Sequence, residues 1–101
     1  MLLSLPSQNA VTKGSFFRLL CQSSAGTKPL FFQWIKNGQT LANSPENEYK
    51  IENNEHFSLF TIKSVDRSDS GNYSCIARNA FGTDSQSSQL IVKGLIIFFG
   101  K

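Results

Sequence analysis

Short runs of alternating apolar and polar side chains fill the chain, and turn-forming residues break the runs at brief intervals. That alternation is a strand signal. Thr12-Lys13-Gly14 reads as a turn, and Ser15 to Ser23 alternates with Phe17, Leu19 and Cys21 on one face. After a loop from Ser24 to Pro29, Leu30 to Lys36 is a strand that puts Phe32 and Trp34 together. Asn37-Gly38 is a strong hairpin signal. Leu41 to Glu48 is polar, contains Pro45 and reads as a loop along an edge, with no convincing extra strand between Gly38 and Tyr49. Tyr49 and Ile51 mark a short strand, and Asn53-Asn54-Glu55 is a tight turn, since Asn tolerates a positive φ. Phe57 to Lys63 is a strand with Phe60 and Ile62 on one side. Val65 to Gly71 is a corner, and Asn72 to Arg78 aligns Tyr73, Cys75 and Ala77. Asn79 to Gly82 is a hairpin turn before a last strand, Thr83 to Lys93. Apolar residues never recur at helical spacing over a long stretch.

Many short strands joined by turns define an all-β sandwich or barrel. Two features select a two-sheet antiparallel sandwich. Cys21 and Cys75 lie on the inward faces of strands far apart in sequence, and Trp34 lies inward on the strand after Cys21. An inter-sheet bond covered by one indole requires that arrangement. Two isolated cysteines are otherwise open to two readings, a pair of buried thiols or one disulfide. If bonded, they close a loop of more than half the chain, worth about 4 kcal/mol in the chain-entropy description. Such a bond persists in an oxidising compartment.

With 101 residues the chain is one domain, and nine Phe, one Trp and two Tyr provide its core. The net charge of +3 comes from scattered residues without a Lys/Arg run, which argues against nucleic acid or an anionic membrane as partner. Met1 to Leu5 is apolar, but Pro6 and polar residues follow too soon for a secretory signal. Residues 1–94 are expected to form the domain. Residues 95–101, with the run Leu95 to Phe99, form an apolar tail too short to cross a bilayer and without an assigned role.

Cys21, Trp34 and the run Asp69-Ser70-Gly71-Asn72-Tyr73-Ser74-Cys75 match the immunoglobulin signature. The chain therefore resembles the immunoglobulin superfamily over about residues 5 to 93, and its lack of extra strands resembles the I-set type. The resemblance implies a Greek-key sandwich with one inter-sheet disulfide, a core signature of Trp34, Tyr73, Asp69 and Gly71, and a tyrosine corner. In that corner the Tyr73 hydroxyl bonds backbone near Asp66 to Asp69. Phe32 to Gly38, Phe57-Ser58-Leu59, Ser70 to Cys75 and Asn79 to Ser85 are similar to the Down syndrome cell adhesion molecule family (Dscam) of arthropods, especially the variable first domain of its shortened chelicerate forms. That likeness implies homophilic recognition between cells, neighbouring immunoglobulin domains in the full chain, and a cell-surface or secreted setting.

Candidate chemistry is thin. His56, the single histidine, has neither nucleophile nor positioned acid beside it, and Asp66, Asp69 and Asp84 are too scattered for a metal. No phosphate loop is present. We expect no enzyme activity, no cofactor, no metal and no small-molecule substrate. Asn72-Tyr73-Ser74 is an N-glycosylation sequon whose Asn points outward if Tyr73 points inward.

The outward positions say more. In an arrangement where the first, second, fourth and fifth strands share a sheet, its solvent face carries Phe16, Arg18 and Leu20 beside Phe57, Leu59 and Thr61. A solvated face should be polar, and contiguous exposed apolar surface marks an interface. We expect this face to be the homophilic interface, in a two-fold homodimer, with Arg18 and nearby Lys50 or Glu52 setting partner choice. The opposite sheet presents Gln33, Ile35, Ile76 and Arg78. Two rival readings remain: a heterophilic receptor domain using Ala25 to Pro29 and Asn79 to Gly82, and a structural spacer of a muscle-type intracellular chain.

Overall fold

The computed structural model describes residues 2–23, 30–46 and 48–94. They form eight strands: β1 Gln8–Thr12, β2 Phe17–Gln22, β3 Phe31–Lys36, β4 Gln39–Leu41, β5 Tyr49–Asn53, β6 Phe57–Ile62, β7 Gly71–Asn79 and β8 Gly82–Lys93. Five strands in the order β1-β8-β7-β3-β4 make one sheet, and β2-β6-β5 make the other. All pairs are antiparallel except β1 with β8.

The alternation that marks the strands also builds the core. Leu19, Cys21, Phe60 and Ile62 from the three-stranded sheet meet Trp34, Tyr73, Cys75, Ala77, Leu90 and Val92 from the other, all buried. Cys21 and Cys75 are bonded, joining the two sheets. Phe60 lies at the centre, its ring centroid 5.4 Å from that of Trp34, 5.2 Å from Tyr73 and 5.5 Å from Tyr49.

The corner before β7 is a single 3-10 turn, Arg67–Asp69, closed at its start by a reciprocal cap. Asp66 accepts from the Arg67 N–H at 2.8 Å, and Asp69 accepts from the Asp66 N–H at 2.8 Å. Tyr73 donates its hydroxyl proton to the Asp69 carbonyl at 2.5 Å. Burial and the neighbouring Asp69 push its phenol pKa well above the ordinary value. Gly71 follows because space is short: a Cβ there would lie 2.8 Å from the Asn37 amide, which is itself held by the Asn72 N–H at 2.9 Å.

Two expectations need correction. The first strand does not join the sheet of the second, fourth and fifth. Leu2 bridges to Ser23 and the Leu3 N–H bonds to the Gln22 carbonyl at 2.9 Å, at the end of β2; β1 then runs beside β8. Pro6 stands at the crossing, where a residue without an N–H cannot extend the ladder along β2. Its carbonyl instead accepts the Ser88 hydroxyl at 2.5 Å. Second, the segment after Gly38 contains a strand after all. Asn37 and Gly38, both at positive φ, turn the chain so that Gln39–Leu41 pairs with β3. The apolar start of the chain belongs to the core, for Leu2 and Leu5 are buried. Residues 95–101 and the loop Ala25 to Pro29 lie outside the described residues.

Candidate interaction surface

The outward face of β2, β6 and β5 is organised in rows by strand register. Leu20 lies opposite Leu59, which lies opposite Glu52; one step along, Arg18 lies opposite Thr61, which lies opposite Lys50. Gln22 and Phe57 form the next row, and Phe16 flanks the start of β2. Phe16 is 53% exposed and Leu20 42%, while Phe57, Leu59 and Thr61 are half-buried between neighbouring strands. Leu3, which the alternation does not single out, extends the apolar patch beside Gln22 and is 45% exposed.

Charge surrounds the apolar strip. The Arg18 guanidinium sits 4.9 Å from the Phe16 ring centroid, a cation–π contact that holds its stem against the sheet. Lys50 and Glu52 pair at 3.6 Å, both largely exposed. On its β5 side the face opens into a cleft of about 730 Å³ with Arg18, Thr61 and Lys50 along it and Pro45 on its wall. The segment forming that wall is tied to the edge of β5. The Asn43 amide accepts from the Ile51 N–H at 2.8 Å and donates to the Ile51 carbonyl at 2.7 Å. Tyr49 donates its hydroxyl to the Ala42 carbonyl at 3.0 Å.

The structure thus brings Phe16, Arg18, Leu20, Lys50, Phe57, Leu59 and Thr61 onto one face, with the parity the alternation predicts. The opposite face carries Gln33, Ile35, Ile76 and Arg78 with Ser74, Ser85 and Ser87 between them. Two further aromatic residues are exposed at one end of this sheet. Phe31, opposite Arg78 at the start of β3, is 67% exposed, and Phe81 at the tip of the β7–β8 turn is 81% exposed. The signal for Phe31 is present, since it shares the parity of Gln33 and Ile35. Phe81 sits in a turn, where parity is silent. Asn72 is exposed on this second face, two residues from Ser74, whose hydroxyl bonds that of Ser87 at 2.8 Å.

The remaining polar candidates make local contacts. His56 lies 3.9 Å from Glu55 and both are exposed. Asp66 and Asp69 form the cap described above. Asp84 accepts the Leu2 N–H at 2.9 Å and the Ser85 N–H at 2.8 Å, bonds that hold its carboxyl below the usual pKa range. Among the described residues no cluster of His, Cys, Asp or Glu is placed to hold a metal ion.

An inter-sheet disulfide covered by Trp34, together with a tyrosine corner, defines an immunoglobulin-type sandwich. The chain belongs to the immunoglobulin I-set domain family, whose pattern matches residues 2–92. It is 38% identical over 80 residues to the mouse cell adhesion molecule DSCAML1, covering 79% of this chain and 4% of that protein. Mouse myopalladin is 35% identical over 85 residues, covering 84% of this chain and 6% of that protein. Among solved structures, the Ig7 domain of Dscam1, isoform 9, superposes with a TM-score of 0.81 at 29% identity, covering 90% of this chain and 96% of that one. The chain spans only a small fraction of the length of DSCAML1 and of myopalladin.

Proposed function

We propose that this domain is an extracellular recognition module of an adhesion molecule, and that it binds a second copy of itself through the outward face of β2, β6 and β5. One observation carries the reading: Phe16 and Leu20 are exposed beside Leu59 on a sheet face that should be polar if it only met water. The likeness to DSCAML1, named a cell adhesion molecule, supports it. The module acts by binding rather than catalysis, in an oxidising setting that keeps Cys21 and Cys75 bonded, beside other immunoglobulin domains of a longer chain. An N-glycan on Asn72 would project from the five-stranded sheet and leave the apolar face bare.

Sedimentation velocity over a range of concentrations tests this. Replacing Leu20 or Leu59 by Asp puts an unpaired charge into any such contact, at a cost of several kcal/mol, and leaves the outward surface of the monomer solvated. The expected result is a folded monomer, while Gln33→Asp still self-associates. Normal association of the Leu20 and Leu59 variants would remove this face from consideration.

A second reading rests on Phe31 and Phe81, whose exposure marks the β3/β7/β8 end as a heterophilic contact. Loss of partner capture in Phe81→Ser with intact self-association would favour it. The myopalladin likeness keeps a structural spacer in play. Free thiols at Cys21 and Cys75 in the native protein would favour that role.

A further inference from the structure

One way of laying two copies together pairs the charges of the two apolar rows with their opposites, and we infer that Lys50 and Glu52 are the residues that select a matching copy. This rests on the face-to-face reading above. Two adjacent rows matter: Leu20–Leu59–Glu52 and Arg18–Thr61–Lys50, fixed by the registers of β2 with β6 and of β5 with β6. Two identical faces that meet are related by a two-fold axis lying in the contact plane.

The placement of charge discriminates among axes. An axis along the strands lays β2 over β5 of the second copy and sets Arg18 on Lys50. An axis across the strands at the level of either row sets Glu52 on Glu52 or Lys50 on Lys50. Like charges facing each other at a desolvated contact are costly. An axis across the strands midway between the rows, at the level of Leu19, Phe60 and Ile51, exchanges them. Glu52 then faces Lys50 of the second copy, and Lys50 faces its Glu52. Leu59 meets Thr61, and Leu20 packs on the stem of Arg18, whose guanidinium already lies over Phe16. Within one copy Lys50 and Glu52 are 3.6 Å apart, so the four charges close into an alternating square. The cleft beside Lys50 gives the second copy's side chains room on that flank.

Because both halves of the code sit on every copy, charge reversal rewrites it. Lys50→Glu alone places Glu against Glu52 twice and should weaken self-association roughly tenfold or more. Glu52→Lys should do the same. The double variant Lys50→Glu/Glu52→Lys restores opposite charges and should self-associate like the parent protein. Mixed with the parent, however, it presents Lys to Lys and Glu to Glu, so the two proteins should sort into separate homodimers. Sedimentation of each protein, and of a mixture with one partner fluorescently labelled, reads all these outcomes. Circular dichroism checks that every variant folds.

Hetero-association of parent and double variant as strong as either homodimer would overturn the inference, and hetero-association stronger than either would place the axis through a row instead. It would leave the face-to-face reading standing. Unchanged self-association of Lys50→Glu, with loss in Leu59→Asp, would likewise overturn the charge code alone. A parent protein that stays monomeric at all concentrations would overturn both.

Discussion

The indole N–H of Trp34 donates to the hydroxyl oxygen of Ser58 at 2.7 Å, and both side chains are buried. Ser58 passes its own proton to the side-chain oxygen of Asn53, so the indole is tied through β6 to the end of β5. A buried N–H needs such an acceptor. The bond also holds the indole in the layer where the disulfide crosses the sheets. Ser58→Ala leaves the indole N–H without its partner, and we expect a loss of about 1–3 kcal/mol in urea denaturation. Trp34 fluorescence should follow the same transition. A stability equal to the parent's would mean that another acceptor takes over the indole.

Tyr73→Phe tests the corner. It removes the hydroxyl bond to the Asp69 carbonyl while keeping the ring packed on Phe60 and Phe17. A loss on the order of 1 kcal/mol is expected. The parent should also show an alkaline transition that the variant lacks. The phenol's pKa is raised in the folded state above its ordinary value of 10.0, so its contribution is complete below that pH and falls away as pH rises through the folded value. Thermal melts of both proteins across this range provide the measurement.

Asp84 gives the opposite sign. Its carboxyl is held below the usual 3.8 by the Leu2 and Ser85 N–H groups, so its stabilising effect is present above that pH and is lost as pH falls through the lower folded value. Acidification should therefore loosen the attachment of Leu2 before the core fails. Hydrogen exchange at the Leu2 and Leu3 amides should speed up in acid relative to the amides of β7, after correction for intrinsic rates. Asp84→Asn should lack this pH-dependent component.

Most of the sandwich is legible because one face of each long strand is apolar. Phe17, Leu19 and Cys21, then Phe60 and Ile62, then Tyr73, Cys75 and Ala77 all point where their parity says, and the proposed contact face is simply the complementary parity. The misses have physical causes. β4 is three residues, Gln39–Leu41, too short for alternation to show. The crossing of the first strand depends on Pro6 and on anchors at Leu2 and Leu5, which follow no period of two. Ser58 has inward parity with Phe60, but a serine there looks like a polar exception until the indole is seen against it. Lys50 and Glu52 were visible as nearby charges. Their offset by one row is a matter of register between three strands, which only the fold supplies.

Asn43 makes the last prediction, about the free edge of β5. Among the described residues β5 pairs with β6 alone in the three-stranded sheet, and the outer side of an edge strand is a template for pairing with another chain. The Asn43 side chain fills both groups of Ile51 at the middle of the strand, one as acceptor and one as donor, as a paired strand would. Alanine at this position removes both bonds and opens the edge to water, at an expected cost of about 1–2 kcal/mol. Aspartate keeps an acceptor for the Ile51 N–H but places a second oxygen against the Ile51 carbonyl. Asn43→Asp should therefore be less stable than the parent near neutral pH and recover part of the difference when the carboxyl is protonated. An opened edge should also let two copies pair strand to strand. Leu59→Asp, which removes contact through the sheet face, isolates that effect. Asn43→Ala combined with Leu59→Asp should associate slowly with concentration, while Leu59→Asp alone stays monomeric. If the combined variant is as stable and as monomeric as Leu59→Asp, the Asn43 bonds contribute nothing to guarding the edge.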